Sequence, residues 1–399
     1  MKNITTFADD LISGKTAKKA MPIEAYSTAL AMGYNIDESF LKNSDAIADV
    51  MQTVHKKYDS AAKVVPMALI VEPATFGRKI MYSDKDVAAV APDAERIRDM
   101  EGVEALQIPS VTDKKSMTSV YLDAIRKSKA QDPKTPIIGG AMSPFTLAGC
   151  LMGVHGSDDN MLTDVYDQPE VVHAMVQKVL TFVTEYISEQ AKAGASAVFM
   201  PDPTTGLISP DMAREHSYPY TKQVIDAVKA KHPDLAIIQH NCRASNEQHV
   251  QSMVGTGADG FHFDQKETNL ARAAQIVPQD RLMFGGLNPA QYFYGASSEQ
   301  MAVATEELVT GLSQHPNFVP SSGCDIPPNA KVENIETFAG VANSTLAKGK
   351  QNVVAADSSF GGDVTKRYYR HPDMFSRGLA PKKSHMRFNN GVEIEDALF

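Results

Sequence analysis

The chain has 399 residues, a formal net charge of −9 at pH 7, and 43% hydrophobic against 22% charged residues, a composition that is typical of a globular protein and that excludes a disordered chain. The negative charge and the absence of a clustered basic stripe predict small molecules or proteins, rather than nucleic acid, as partners. The longest apolar runs, at residues 64–71 and 195–201, are far shorter than the roughly 20 residues that span a bilayer, so no membrane segment is predicted.

The first 63 residues predict two or three helices that cap the rest of the fold. The opening MKNITTFADDLISGKTAKKA carries acidic residues where a signal peptide has its apolar stretch, so we predict no export signal and a cytoplasmic protein. The three cysteines are too few for a disulfide framework. Metal or thiol chemistry is therefore considered for each of them.

From residue 64 onward, short apolar runs rich in Val, Ile and Phe alternate with helical patterns, which indicates βαβ units and a parallel sheet. Eight strands are predicted, at residues 65–72, 104–109, 136–142, 195–203, 235–242, 260–264, 281–287 and 317–324. A doubly wound open sheet would give the same local pattern, but the count of eight favours a closed ring. We therefore predict an α/β fold, namely a (β/α)8 TIM barrel over residues 64–347 with an N-terminal helical extension over residues 1–63.

The clearest predicted helix covers residues 169–193, where apolar residues recur at helical spacing and Gly194 follows as a stop. Further helices follow the fifth to eighth strands, at residues 246–254, 269–276, 298–312 and 332–347. After residue 347 the chain becomes polar, Gly-rich and locally basic. Residues 348–399 are therefore predicted to form an extended or partly ordered C-terminal extension.

The C-terminal ends of the predicted strands carry the candidate functional residues, because reactive groups of a barrel come from those ends. They are Glu72, Ser143, Asp202, His240, Cys242, His262, Asp264, Asn288, Cys324 and Asp325. Asp202 and Glu72 are predicted catalytic residues, as a further metal ligand, a partner of His240 or a substrate contact. The alternative for each is a carboxylate that caps the following helix.

Three of these residues form a candidate metal site. His240 and Cys242 are two positions apart, so both point to the same face of a strand, and Cys324 ends the eighth strand. One imidazole and two thiolates with an open fourth position are the ligands of a catalytic zinc site. The alternative is that a buried Cys or a lone His is a core residue, as Cys150 in an apolar helical segment is predicted to be.

Several motifs carry a family resemblance. They are AMSPFTLAG (141–149), MPDPTTGLISP (200–210), HNC (240–242), GADGFHFDQ to GGLNP (257–289) and SGCDIPP (322–328). Over about residues 5–345 the chain resembles the uroporphyrinogen decarboxylase superfamily, and within it the zinc-dependent corrinoid methyltransferases. The resemblance implies that His240, Cys242 and Cys324 bind Zn²⁺, and that a methyl group moves between a corrinoid and a thiol or another small molecule.

The resemblance also implies a partner, since the corrinoid would arrive on a separate carrier protein, and this chain has no DxHxxG segment that would bind a corrinoid itself. Two alternatives stay open, a porphyrinogen decarboxylase and a non-catalytic zinc-binding barrel. Decarboxylases of the superfamily grip substrate carboxylates with an Arg-rich N-terminal segment, whereas residues 17–36 here contain no Arg. Arg243, where relatives often have Gly, and the C-terminal extension depart from the methyltransferase pattern and leave the substrate open.

Overall fold

Parallel strands form the centre of the protein. The computed structural model describes residues 6–83, 86–92, 95–153 and 160–353. The strands in these ranges are β1 (Lys63–Val64), β2 (Ile80–Met81), β3 (Ala89–Val90), β4 (Ile137–Gly140), β5 (Ala197–Pro201), β6 (Ala236–His240), β7 (Gly260–Asp264), β8 (Leu282–Leu287) and β9 (Phe318–Ser322). Seven of the described strands form a parallel sheet in the order β1-β4-β5-β6-β7-β8-β9, and β2 pairs with β3 in a small antiparallel ribbon.

The helices lie before, between and after the strands. The first eight are α1 (Phe7–Ile12), α2 (Tyr26–Ala31), α3 (Glu38–Leu41), α4 (Ser44–Tyr58), α5 (Val71–Thr75), α6 (Met100–Ala105), α7 (Met117–Gln131) and α8 (Pro144–Met152). They are followed by α9 (Met161–Asp167), α10 (Pro169–Ala193), α11 (Pro210–His216), α12 (Tyr218–Lys231), α13 (Glu247–Val254), α14 (Leu270–Ile276), α15 (Ser298–Gly311) and α16 (Val332–Val353). No helix in the described ranges has both the length and the apolar character that a membrane crossing requires.

Six of the eight predicted strands are present as β4 to β9, and the other two predictions are wrong. No strand forms within residues 65–72, because the short β1 ends just before them and α5 begins at Val71. The predicted strand at 104–109 overlaps the end of α6 and is not a strand either. Short apolar runs do not distinguish a buried strand from a buried helix. For α6 the decisive local feature is Asp99, whose side chain accepts a hydrogen bond from the Gly102 amide and caps the helix.

Two apolar layers show that the sheet curls. The inner cluster joins side chains from nearly every strand of the sheet with the first helix: Val64, Ile138, Phe199, Ile238, Phe284, Val319, and Phe7 and Leu11 of α1. Alternate residues such as Val198, Ile237 and Phe261 belong to the outer cluster with the helices. Since successive side chains point to opposite faces, one face of the sheet encloses its own core.

The free edge of β9 is covered by the N-terminal segment. Met21 forms a single parallel bridge to Ser321, and its amide donates to the Pro320 carbonyl at 2.9 Å. The Ile23 amide donates to Ser322 Oγ at 3.0 Å. The segment that follows α1 thus lies beside the strand that leads to Cys324.

The described residues all belong to one compact unit. The predicted N-terminal extension and the predicted barrel therefore belong to one unit. Helix α16 continues to Val353, six residues past the predicted end of the barrel. The rest of the predicted C-terminal extension, residues 354–399, lies outside the described residues.

Candidate metal centre

Three side chains at the carboxyl ends of β6 and β9 bring their ligand atoms together. His240 is the last residue of β6, Cys242 follows two positions later, and Cys324 lies two positions past the end of β9. One imidazole nitrogen and the two Sγ atoms all lie within 4.8 Å of one another. His240 Nε2 is 3.5 Å from Cys324 Sγ. The three predicted metal ligands thus form one cluster.

The strand alternation explains why His240 faces this point. Ala236 and Ile238 of β6 belong to the inner cluster, and His240 continues the same alternate series. Gln239 points to the opposite face, where its side-chain Oε1 accepts a hydrogen bond from Thr256 Oγ1 at 3.1 Å. The metal cluster therefore lies above the inner apolar core, at the carboxyl end of the sheet.

Two of the three residues of the cluster are buried, and the third is of intermediate exposure. His240 and Cys242 are 1% and 5% exposed, whereas Cys324 is partly exposed. Catalytic zinc sites use three protein ligands and keep a fourth position for water or substrate, while structural sites use four. One imidazole and two thiols, which are three ligands and not four, fit the catalytic type.

The surroundings of Cys242 favour its thiolate form. A hydrogen bond from the Cys324 thiol stabilises the Cys242 thiolate and holds the pKa of Cys242 well below its usual range. His240 and the positive charge of Arg243 act in the same direction. A thiolate is the ligand form of cysteine, so Cys242 is prepared for a metal ion even before the ion arrives.

His262 supports His240 from the neighbouring strand. The two residues are register partners, and their ring centroids are 4.5 Å apart. His262 Nε2 lies 2.8 Å from the Ser322 carbonyl oxygen and 3.1 Å from Ser321 Oγ. Burial, together with the nearby His240, holds the pKa of His262 well below its usual range. A neutral ring thus packs on the ligand His240 and is tied to the segment that carries Cys324.

Asp264 is a buried carboxylate that interacts electrostatically with the cluster. It ends β7, is 4% exposed, and interacts with the charges of Cys242 and His240. Its oxygens accept hydrogen bonds from Asn288 Nδ2 and from the Lys266 amide, each at 2.8 Å. Burial raises the pKa of Asp264 to about 6. The carboxyl group is therefore fixed in place, and its pKa lies closer to neutral pH than that of an ordinary aspartate.

Asp202 lies on the other face of the sheet and is fully buried. It accepts hydrogen bonds from the side chains of Ser143 (2.5 Å), Thr146 (3.1 Å), Thr205 (2.6 Å), Ser217 (3.3 Å) and Gln239 (3.5 Å). Burial raises the pKa of Asp202 and these hydroxyl groups oppose the shift. Its contacts join β5 to the helix layer, so a catalytic role for Asp202 stays a prediction.

Glu72 also lies in the helix layer. It belongs to α5, is 3% exposed, and accepts a hydrogen bond from the Met142 amide at 2.7 Å. Its charge acts on Tyr121, Tyr186 and Cys150, which lie on three surrounding helices. Among the described residues, neither Glu72 nor Asp202 joins the group whose ligand atoms approach within 4.8 Å. The predicted catalytic role of Glu72 is untested.

Comparisons with known proteins identify the family. The family model "Uroporphyrinogen decarboxylase (URO-D)" matches residues 25–344, which is most of the chain. The chain belongs to the uroporphyrinogen decarboxylase family. It is 26% identical over 282 residues to the uroporphyrinogen decarboxylase of Acidiphilium cryptum (strain JF-5), which covers 70% of this chain and 75% of that protein. The corresponding enzyme of Coxiella burnetii (strain Dugway 5J108-111) is 29% identical over 261 residues, 64% and 70% of the two chains.

Among solved structures, a methyltransferase from Methanosarcina mazei has a similar fold. The match has a TM-score of 0.72 and 17% sequence identity, and it covers 85% of this chain and 99% of that one. At this level of identity, the match shows that the two proteins share a fold and shows nothing about a shared activity. It agrees with the curled sheet described above.

Two glycines, which no sequence pattern marks as functional, bring the loops of the centre together. A Cβ on Gly206 would lie 2.4 Å from Arg243 Cβ and 2.8 Å from Asn241 Oδ1. A Cβ on Gly323 would lie 2.7 Å from Asp264 Cγ. In both places the loop next to a ligand cysteine packs directly on a neighbouring loop or strand. The two glycines occur in the segments GLIS (206–209) and SGCD (322–325). The residues that they approach are distant in sequence, so the segments alone do not predict these contacts.

Proposed function

We propose that the protein is a zinc-dependent methyltransferase that moves a methyl group between a corrinoid, carried on a separate protein, and a thiol or another small methyl donor or acceptor. The observation that carries the proposal is the convergence of His240, Cys242 and Cys324 within 4.8 Å. The chemistry of this donor set fits Zn²⁺, which favours cysteine and histidine ligands. We further propose that the curled sheet is a (β/α)8 barrel, in which the segment at Met21 takes the eighth place through its parallel bridge to Ser321.

His240 would bind the ion through Nε2, and Cys242 and Cys324 through their sulfur atoms. When bound, zinc would supply a Lewis acid that favours the thiolate form of a substrate thiol and orients it. A reducing cytoplasm, as predicted from the sequence, would keep both cysteines available as thiols. Corrinoid dependence and the cytoplasmic location are parts of the proposal.

In the thiol-methylating direction, the substrate sulfur attacks the methyl carbon of the methylated corrinoid. The sulfur–carbon bond forms, the carbon–cobalt bond breaks with both electrons staying on cobalt, and the thiol proton is released. We assign acceptance of this proton to Asp264, since its carboxylate is held by Asn288 and the Lys266 amide and acts electrostatically on Cys242. Asp202 and Glu72 remain predicted catalytic residues whose positions favour a structural contribution.

We propose that the carrier protein docks at the carboxyl end of the sheet, since the interior of the sheet is filled by side chains. Phe7 and Leu11 of α1 fill the interior together with the strand side chains. Cys324 is partly exposed at the opposite, carboxyl end. A bulky corrinoid on a carrier protein would therefore reach the cluster from above Cys324.

A second candidate is a porphyrinogen decarboxylase, because the relatives from Acidiphilium cryptum and Coxiella burnetii carry that name. Recognition of several substrate carboxylates requires cations, and guanidinium groups suit them best. Residues 17–36 contain no Arg, and the first Arg of the chain is Arg78. The same segment instead buries Glu24, which is 2% exposed. These residues favour the methyltransferase.

Incubation of the zinc-loaded full-length protein with methylcobalamin and a panel of thiols tests the proposal. We expect optical loss of the methyl–cobalt species with at least one thiol, and loss of this activity in Cys324→Ala but not in Cys150→Ala. Cys150 is the matched control because it lies on α8, outside the cluster. Turnover of uroporphyrinogen alone would favour the decarboxylase. Zinc binding without either activity would favour the non-catalytic barrel.

A further inference from the structure

A second group of metal-ligating side chains lies in the helix layer, where α10 meets α11. His173 belongs to α10, and Glu215 and His216 are the last two residues of α11. One ligand atom of each lies within 4.8 Å of the others. The Nε2 atoms of His173 and His216 are 3.7 and 3.9 Å from the same Glu215 oxygen. None of these residues takes part in the proposed reaction.

His216 is the observation that points to a ligand. It is 1% exposed, and neither of its ring nitrogens has a hydrogen-bond partner in the described part of the chain. A buried polar group without a partner costs on the order of 1–3 kcal/mol, so such groups are rare without a bound ligand or water. Burial and the nearby His173 lower the pKa of His216, which favours the neutral ring that binds metals.

His173 is oriented toward the same point. Its Nδ1 lies 2.7 Å from the hydroxyl oxygen of Tyr220, the third residue of α12. A hydrogen bond at one ring nitrogen fixes the tautomer and leaves the other nitrogen free to bind, as it does for most histidine ligands of metals. The rings of His173 and His216 are stacked with centroids 4.3 Å apart. The Nε2 atom of His173, which lies 3.7 Å from the Glu215 oxygen, is the nitrogen left to bind an ion.

We propose that His173, Glu215 and His216 bind a second divalent transition-metal ion, with Zn²⁺ as the principal candidate. Ligands at about 2.0–2.2 Å from a tetrahedral ion lie about 3.3–3.6 Å from one another, so the two separations from the Glu215 oxygen, 3.7 and 3.9 Å, need a closure of only about half an ångström or less. Two imidazoles and one carboxylate select zinc, nickel or copper over calcium and magnesium, which prefer oxygen ligands.

An ion could reach this site from solvent, and its binding would link two helices. The Glu215 side chain is 55% exposed and that of His173 is 32% exposed, so the carboxylate side opens to solvent. The ion would join α10, the 25-residue helix, to the end of α11. Because the unfolded chain does not hold these ligands together, binding would stabilise the folded state.

Zinc titration of the full-length protein after removal of metal by a chelator tests this site. We expect His173→Gln to lower the zinc stoichiometry by one per chain, or to weaken one binding event at least tenfold. The matched control is His232→Gln, since His232 is a half-buried histidine at the end of α12 outside both metal clusters. The control should bind as the wild type does.

The same titration in a Cys242→Ser/Cys324→Ser double variant separates the two sites. We expect one zinc ion to bind there, and none at the same concentrations when His173→Gln is added. No zinc binding in the double variant, or binding that His173→Gln leaves unchanged, would overturn the second site. Neither result bears on the first site, which is judged by the cysteine variants alone. Because His173 is partly exposed, His173→Gln should fold normally, and circular dichroism checks this.

Discussion

His240 Nε2 and Cys324 Sγ lie 3.5 Å apart although their strands, β6 and β9, are three places apart in the sheet. Neighbouring strands are spaced by about 4.8 Å, so strands three places apart in a flat sheet are separated by about 14 Å. The curl of the sheet, together with the side chains that turn inward, closes this gap. The candidate metal centre therefore depends on the global fold and not on a local sequence motif.

Removal of one ligand should abolish binding at this centre. We expect Cys324→Ala to lose one zinc ion per chain, because two remaining ligands do not make a stable site. Cys150→Ala should retain it, since Cys150 lies on α8. Metal analysis by mass spectrometry after gel filtration gives the stoichiometry. Equal zinc content in the two variants would contradict the assignment of Cys324.

Gly323→Ala should disturb the centre without removing a ligand. The added Cβ would lie 2.7 Å from Asp264 Cγ and 2.9 Å from Asp264 Cα, so either strand must shift. We expect a loss of about 1–3 kcal/mol in the free energy of unfolding and weaker zinc binding in a chelator competition. Gly340→Ala, in α16, is the control. Apart from its chain neighbours and the adjacent backbone of α16, no described atom lies within 4 Å of its added Cβ, and alanine should add up to about 1 kcal/mol.

The sequence predicts β6 to β9 and the position of His240 well, because both follow from the two-residue period of a strand. Ala236, Ile238 and His240 share one face, and the pattern alone assigns His240 to the interior. The convergence with Cys324 follows from no local period; it is predicted from the position of Cys324 at the end of the eighth predicted strand, and the family resemblance implies the same ligand set. Sequence reasoning was least successful where an apolar run could form either a strand or a helix.

Glu72 and Asp202 illustrate this difficulty. The prediction that Glu72 ends a strand fails because the apolar run before it forms only β1 and then α5. Asp202 does follow a strand, but it comes directly after the inward Pro201 and therefore points to the helices. Its partners come from four separate segments, and no spacing in the sequence indicates that they meet.

Asp264→Asn should separate proton transfer from metal binding. The amide has nearly the size and shape of the carboxylate, and its oxygen can accept one of the two hydrogen bonds that Asp264 accepts from Asn288 and the Lys266 amide, but it cannot accept the thiol proton. We expect turnover of methylcobalamin with a thiol to fall by about 100-fold, the low end of what a positioned base contributes. Zinc content should stay at the wild-type value, which metal analysis of the same sample checks. Unchanged turnover at full zinc content would exclude Asp264 as the proton acceptor.

Glu72→Gln should change the pH dependence of stability. Burial raises the pKa of Glu72 from 4.5 to about 7, so the folded state favours the neutral carboxyl group more than the unfolded state does. That favourable contribution is complete below pH 4.5 and is lost as the pH rises through 7. One pKa unit corresponds to about 1.4 kcal/mol, so the loss amounts to about 3 kcal/mol.

The glutamine side chain cannot ionise, and its carbonyl can still accept the hydrogen bond from the Met142 amide. The wild-type protein should therefore lose about 3 kcal/mol of stability relative to Glu72→Gln between pH 4.5 and pH 8. Urea unfolding of both proteins at several pH values measures this difference. Glu306→Gln, an exposed change in α15, should show no such trend. A pH-independent difference, or loss of methyl transfer without any change in stability, would instead favour the catalytic role predicted for Glu72.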